Sequence, residues 1–308
     1  PDVQKQLERQ LLAVSDLWRS ESVGGIVMDP KTGRIYAMAA LPAFDPNAFQ
    51  QEKNVSVFGN PLVENVYEMG SVIKPLVIAA ALDAGTVRPE STYKDEGTIT
   101  VDGKRISNFD GKARGVVSMQ EVLSQSLNTG MVHVMKKMGR EQFSSYMKRY
   151  RFGEETGIEL PGEVRGLVEN LDSRRDIEHA TAAFGQGIAM TPIGAARAFA
   201  TLGNGGFLVD PFVVDSVKYT WGGGKTTTPG EPLRILKKST SEDITRMLVT
   251  VVDKALAGGT VALPRHSIAA KTGTAQIADP VNGGYYPDQY LHSFFGYFPA
   301  YDPKFLVF

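Results

Sequence analysis

The sequence predicts an α+β fold, with an antiparallel sheet built from the two ends of the chain and a helical insertion between them. Two observations predict it. Strand-like runs occupy residues 23–40 and recur after residue 267. Helical periodicity and helix-start signals fill most of the stretch between. No internal repeat or low-complexity tract interrupts that order.

Residues 3–18 read as an amphipathic helix with Leu7, Leu11, Leu12, Val14 and Leu17 as its apolar members. Val23 to Asp29 and Arg34 to Ala40 read as a hairpin turned by Pro30-Lys31-Thr32-Gly33. Residues 41–67 are irregular, with Pro42, Pro46 and Pro61. An apolar helix follows, from Pro75 to Leu82, and ends at Gly85. Short strand pieces such as Thr98 to Val101 then alternate with turn signals. Ser118 and Glu121 form a capping box that starts a helix at Met119. That helix breaks near Ser126 to Gly130 and resumes from Met131 to Met138. Residues 140–150 are helical, 153–171 loop and 173–184 helical. Thr191-Pro192 opens a helix that runs to Leu202. Residues 207–236 look like strands with a glycine turn at Gly222 to Gly224. Ser239 with Glu242 caps the last long helix, whose apolar positions run from Ile244 to Leu256. Strands return at Ser267 to Ile277, Leu291 to Phe298 and from Phe305 onward.

Composition narrows the function classes. The chain has 308 residues, 42% hydrophobic and 22% charged, which is ordinary for a globular protein. A net charge of −1 gives no reason to expect nucleic acid as a partner. There is no cysteine, which excludes disulfides, thiolate nucleophiles and cysteine zinc sites. No run approaches the ~18–20 apolar residues of a membrane span. The sequence opens without methionine and closes within Phe305-Leu306-Val307-Phe308, so both ends read as cut. His133, His179, His266 and His292 are scattered without ligand spacing or a partnered base, which speaks against metal or triad chemistry. Trp18, Trp221 and the pair Tyr285-Tyr286 read as packing or loop anchors.

The chemistry points to Glu68-Met69-Gly70-Ser71-Val72-Ile73-Lys74-Pro75. Ser71 and Lys74, three apart at a helix start, share a face one turn apart. In a first turn the backbone N–H groups have no intrahelical partner and can receive an oxyanion, while the amine can reach the hydroxyl proton. Pro75 fits a first turn. Ser-x-x-Lys occurs by chance about once in a chain of this length, so the match alone decides little. Ser145-Tyr146-Met147-Lys148 is such a decoy. Phe143, Tyr146, Met147 and Tyr150 form an apolar face there, leaving Ser145 and Lys148 wet.

Two further motifs follow in order. Ser126-Leu127-Asn128 lies at a helix break, which can aim two polar side chains into a cleft. Lys271-Thr272-Gly273-Thr274 lies on a strand, with Lys271 and Gly273 on one face and Thr272 and Thr274 on the other. Glycine there would let a substrate backbone lie close. Lys31-Thr32-Gly33 is a second decoy in a turn. Each motif is weak singly; the three in this order and these settings are a strong joint signal.

On these residues the chain resembles the transpeptidase domain of class B, monofunctional penicillin-binding proteins, in the serine β-lactamase-like superfamily. The resemblance extends over almost the whole chain. It includes Val66 to Ser71 (with Met69 where proline is usual), Phe184-Gly185-Gln186-Gly187-Ile188 before Thr191-Pro192, Lys271 to Gln276 and Ser293 to Ala300. Gly283-Gly284-Tyr285-Tyr286 is closer to division- and sporulation-type members. The resemblance implies an α/β fold of the α+β type: an antiparallel sheet flanked by helices, from about residues 1–65 and 207–308, plus an all-helical subdomain from about 66–206. It also implies an extracytoplasmic protein with an N-terminal membrane anchor and a pedestal domain, neither present in these residues.

The implied activity is D,D-transpeptidation of peptidoglycan stem peptides, without a cofactor or metal, with β-lactams as acylating mimics and membrane-bound cell-wall synthesis proteins as partners. Ser71 would be the nucleophile and Lys74 its base, which needs a pKa well below ~10.4. Ser126 would relay a proton, with Lys271 holding its hydroxyl and Asn128 orienting Lys74. Thr272, Gly273 and Thr274 would line the substrate, the threonine hydroxyls taking its carboxylate. Ser71 and Thr274 amides would form the oxyanion hole. A β-lactamase would need a deacylating base, and Glu154, Glu155, Glu159 and Glu163 form no such pattern. A D,D-carboxypeptidase is the nearer rival. A non-turnover β-lactam sensor or scaffold is the rival of another class.

Overall fold

The computed structural model describes residues 2–279 and 281–308. Helix α1 (Asp2–Trp18) precedes the hairpin β1 (Val23–Met28) and β2 (Ile35–Leu41). Residues 41–67 hold two single 3₁₀ turns, Phe49–Gln51 and Val55–Phe58, and the short α2 (Pro61–Glu64). A 3₁₀ turn at Gly70–Ile73 leads into α3 (Lys74–Asp83). Two small ribbons follow. One pairs β3 (Thr92–Asp95) with β6 (Gly115–Ser118), the other β4 (Thr98–Val101) with β5 (Lys104–Ser107). Next come α4 (Met119–Ser124), α5 (Asn128–Met138), α6 (Arg140–Arg149), α7 (Asp176–Ala182) and α8 (Pro192–Gly203). The short strands β7 (Phe207–Leu208), β8 (Ser216–Lys218), β9 (Gly224–Thr226) and β10 (Leu233–Arg234) lead to α9 (Lys238–Thr250). The chain closes with β11 (Ala269–Ala278), β12 (Tyr285–Phe298) and β13 (Phe305–Val307).

Five strands make one antiparallel sheet in the order β11-β12-β13-β1-β2. The last strand of the chain thus lies beside the first, as the sequence order predicts. Period-two alternation explains how both faces are covered. Ile26, Met28, Phe295, Tyr297 and Leu306 enter the main core. Val27 and Ala37 turn the other way and pack with Leu7 of α1. On the core side, Phe199 of α8 stacks on Phe295 at 4.1 Å between ring centroids. Thr245 of α9 shares a 2.8 Å hydrogen bond with the Tyr297 hydroxyl.

The insertion is organised around α3. Residues Leu76 to Ala81 are fully buried on all sides, as an all-apolar helix must be. The Tyr150 hydroxyl donates to the Leu76 carbonyl at 3.0 Å.

Some local expectations change in the fold. The Ser118 hydroxyl caps α4 by accepting from the Glu121 amide at 3.2 Å, but Glu121 accepts from Gln125 instead of completing the box. Helix α5 begins at Asn128, three residues before the expected Met131. Ser239 is no cap: α9 starts at Lys238, and its first turn is capped by the Asp83 carboxylate. That carboxylate accepts from the Lys237 amide at 2.6 Å and the Thr240 hydroxyl at 2.9 Å. Strand β12 starts six residues before Leu291, extending the hairpin with β11. Trp18 and Trp221 are exposed, so neither anchors packing; Trp221 sits at the β8–β9 turn with its ring in solvent.

Candidate active site

The nucleophile turn is built by close backbone contact. Gly70 has φ +63°, and a Cβ there would come within 2.8 Å of the Thr274 carbonyl. Only glycine meets both demands. The Gly70 amide donates to Gly185 at 3.0 Å, which braces the turn from the opposite side. Ser71 follows, partly buried, one turn before Lys74 at the head of α3.

Lys74 is completely buried. Its amine donates to the Ser126 carbonyl at 2.6 Å, the Ser126 hydroxyl at 3.1 Å and Asn128 Oδ1 at 2.8 Å. Burial drives this amine well below the ordinary lysine range, and the nearby Lys271 cation adds to the effect. In its neutral form the amine keeps two N–H groups, enough for the Ser126 carbonyl and Asn128 Oδ1, and its lone pair can accept a proton from a neighbouring hydroxyl. Ser126 sits at φ +55°, a region non-glycine residues rarely adopt and one frequent at active sites. Asn128 is the first residue of α5; its Nδ2 donates to the Ser107 carbonyl at 3.0 Å, which fixes the amide so that its oxygen faces Lys74.

A buried network supports that helix start. The Asp95 carboxylate accepts from Thr129 Oγ1 at 2.6 Å, the Gly97 amide at 3.1 Å, Asn108 Nδ2 at 3.0 and 3.1 Å and the Arg114 amide at 2.9 Å. Burial pushes this carboxyl up, but the combined hydrogen bonds hold it below the usual range.

Strand β11 is the free edge of the sheet on this side. Lys271, Gly273 and Ala275 are buried while Thr272 and Thr274 are exposed, the alternation the sequence predicts. Burial lowers the Lys271 amine to about 8. It donates to the Thr272 carbonyl at 2.9 Å, so its hydrogen bond goes to its own strand and not to the Ser126 hydroxyl as expected. The close approach at Gly273 is likewise to the protein itself. A Cβ there would meet Ser293 Oγ, the Val72 amide at 2.9 Å and the Met69 carbonyl at 3.0 Å. Thr274 faces out with its hydroxyl 3.3 Å from His292 Nδ1, its cross-strand partner.

The structure therefore brings Ser71, Lys74, Ser126, Asn128, Lys271 and the Thr272–Thr274 strand together. Sequence reasoning missed the Ser126 and Ser107 carbonyls, which no side-chain pattern reports, and the place of His292. Counting the β11–β12 register back from the turn would not have found the last, because the register shifts between Gln276 and Ala278. The decoys lie elsewhere. Ser145 and Lys148 are exposed on α6, where Lys148 pairs with Asp172 beside an open cavity of about 730 Å³. Lys31 pairs with Asp302. His179 is buried with its ring nitrogens on the Arg175 and Leu171 carbonyls. Two of the loop glutamates are engaged away from the cleft. Glu163 accepts from Thr156 and Gly157, and Glu159 from the Val213 amide.

A serine–lysine helix start packed under the edge strand of an antiparallel sheet is the plan of the serine acyltransferases that react with penicillins. Residues 23–308 match the penicillin binding protein transpeptidase domain, and the chain belongs to that family. It is 33% identical over 312 residues to stage V sporulation protein D of Bacillus subtilis strain 168, covering 99% of this chain and 47% of that protein. It is 30% identical over 294 residues to the peptidoglycan D,D-transpeptidase FtsI of Escherichia coli K12, covering 94% and 46%. The chain spans about half the length of the curated relatives it matches. Among solved structures it is similar to penicillin binding protein 3 of Mycobacterium tuberculosis complexed with aztreonam. The TM-score there is 0.93 and the identity 28%, over 99% of this chain and 70% of that one.

Proposed function

We propose that this domain is the catalytic part of a peptidoglycan D,D-transpeptidase that works through an acyl-serine. The observation that carries the reading is the buried Lys74 amine, held by Ser126 and Asn128 one turn from Ser71. Ser71 Oγ attacks the carbonyl between two D-alanines and its proton passes to Lys74. The Ser71 amide, free in a first turn, and the Thr274 amide stabilise the oxyanion. As the C–N bond breaks, the proton moves through Ser126 to the departing D-alanine amine. An amine from a second stem peptide then attacks the ester, forms the cross-link and returns a proton to Ser71. The Thr272 and Thr274 hydroxyls, on the exposed face of β11, hold the substrate carboxylate by charge-assisted hydrogen bonds, and the buried Lys271 cation attracts it through its field.

The D,D-transpeptidase activity for which the Escherichia coli relative is named supports this reaction for the present domain. The engagement of Glu159 and Glu163 in loop contacts favours transpeptidation over drug hydrolysis. The same reading puts the whole protein outside the cytoplasm, membrane-anchored among other cell-wall synthesis proteins. It divides this domain into a sheet part and a helical part, with the cleft between.

The test is intact-protein mass before and after benzylpenicillin, beside Ser71→Ala. A lasting single adduct, absent in the variant, is the expected result. Rapid adduct loss with drug hydrolysis would identify a β-lactamase instead. No adduct on folded protein would overturn the acyl-serine reading.

A further inference from the structure

We infer that Glu68 and Tyr285 form a positioning clasp that holds the far end of the β11–β12 hairpin against the nucleophile turn. The inference rests on the acyl-serine reading above and adds a positioning pair to it. Glu68 lies three residues before Ser71 and is half-buried. Its Oε1 accepts from the Gly187 amide at 2.7 Å. The Tyr285 hydroxyl donates to the same carboxylate, 2.9 Å from Oε2 and 3.2 Å from Oε1. One carboxylate therefore joins three segments distant in sequence: the nucleophile turn, the Gly185–Gly187 loop and the start of β12.

The hairpin needs such a tie. Pairing between β11 and β12 is regular from Ala269↔Tyr297 to Gln276↔Tyr290, then shifts before resuming at Ala278↔Tyr285. Beyond that shift most residues of β12 are exposed, so little packing fixes the hairpin end. The tip holds itself together locally. Asp279 Oδ1 accepts from the Val281 and Asn282 amides at 2.9 and 3.0 Å, and the Asp279 amide donates to Gly284 at 3.0 Å. Tyr285 comes next, so one hydroxyl transfers the position of that tip to Glu68.

The other side of the clasp is rigid. The Gly70 amide donates to Gly185 and the Gly187 amide to Glu68, so the Gly185–Gly187 loop meets the nucleophile turn at two points. A carboxylate fixed at one end and holding a hairpin at the other sets the distance between Ser71 and the outer half of β11. Thr274, whose hydroxyl is exposed toward the proposed carboxylate site, lies on that half. Loosening the clasp widens the cleft where the acyl donor is aligned, while the nucleophile and its base stay intact. Misplacement on the ångström scale costs acyl transfer heavily.

Three single variants and one double variant test it, read by acylation rate, melting temperature and amide hydrogen exchange. Tyr285→Phe removes one oxygen and leaves the ring. It is expected to lower the first-order acylation rate with benzylpenicillin about 10-fold. The melting temperature stays unchanged, and amide hydrogen exchange within Gln276–Tyr290 speeds up. Glu68→Gln keeps an acceptor for both donors and should restore most of the rate. Glu68→Ala should lose it, and adding Tyr285→Phe to Glu68→Ala should cost nothing more. Wild-type acylation and unchanged exchange in Tyr285→Phe would overturn the clasp, as would independent, multiplying losses in the double variant. If wild-type protein forms no adduct, the acyl-serine reading fails instead, and the exchange measurement still decides whether the clasp exists.

Discussion

The Lys74 amine is held by Ser126 through the backbone as well as the side chain, 2.6 Å from the carbonyl and 3.1 Å from the hydroxyl. The left-handed conformation of Ser126, φ +55°, presents both oxygens to one amine. Removing the hydroxyl therefore leaves the amine in place. Ser126→Ala and Ser126→Gly should lower acylation equally, because both lack the relay and keep the carbonyl. They should differ in stability. Alanine keeps the strained backbone, whereas glycine relieves it by about 1 kcal/mol. Thermal melts beside acylation rates check this. A glycine variant no more stable than the alanine one would mean that Ser126 carries no strain.

The two buried lysines should give acylation a bell-shaped pH profile. Lys74 must be neutral to act as base. Its lowered pKa means that the rate rises with pH through that value and has levelled off well before the ordinary lysine range. Lys271 must be charged to attract the substrate carboxylate, and it loses its proton at about 8. The rate then falls on the alkaline side near pH 8. Lys271→Arg retains a cation far above that pH, so its alkaline limb should move upward even if the overall rate drops. An alkaline limb unmoved in Lys271→Arg assigns it to a different group. The profile is measured as the second-order acylation constant of benzylpenicillin from about pH 5 to pH 10.

What the sequence shows clearly is what local chemistry decides. Thr191 caps α8 by accepting from Gly194, three residues on, and Thr191-Pro192 reads as a helix start without any tertiary knowledge. The alternation of Lys271, Thr272, Gly273 and Thr274 is equally local, as is the apolar run of α3. The order of strands and helices is enough to suggest that the sheet is assembled from both ends of the chain. Ser239 and Glu242 look like another cap and are not, because Asp83 reaches the Lys237 amide from 154 residues away. The same limit hides the partner of Gly273. Its lack of a side chain is visible in the sequence, but that it makes room for the Val72 amide and not for substrate depends on where two distant segments meet. Main-chain acceptors such as the Ser126 and Ser107 carbonyls leave no mark on residue type at all.

Asp95 is a stability prediction with a pH signature. It is 1% exposed, and its two oxygens take hydrogen bonds from Thr129, Asn108 and two backbone amides. Asp95→Asn places an amide donor among these donors and should cost about 1–3 kcal/mol at neutral pH. The folded carboxyl lies below its ordinary value, so its contribution is present above the unfolded pKa and is lost as pH falls through the folded one. The melting-temperature gap between wild type and Asp95→Asn should therefore be full at pH 7 and narrow below about pH 4. A gap that does not change with pH would mean that the carboxylate charge is not what the network uses. Acylation should fall in the variant as well, because the Asp95–Thr129 bond anchors the helix start that aims Asn128.

Gly273→Ala tests whether strand and nucleophile are held in register by backbone contact. The added methyl would meet Ser293 Oγ, the Val72 amide at 2.9 Å and the Met69 carbonyl at 3.0 Å. The first contact is a small side chain that can turn aside. The other two belong to the nucleophile turn, which Gly70 ties to Thr274 on one side and Gly185 on the other. Relief must come from moving the turn or the strand, and either changes the distance between Ser71 and the Thr274 amide. Acylation should fall by about 10²-fold, the usual cost of misplacement on that scale. Overpacking should cost about 1–3 kcal/mol, a drop of only several degrees in melting temperature, so the variant stays folded at the assay temperature. Adding Ser293→Gly removes the side-chain clash and leaves both backbone clashes, so it should not recover the rate. Should Gly273→Ala acylate as fast as wild type, β11 would be free to slide over the turn, and the fixed spacing between strand and nucleophile would be disproved.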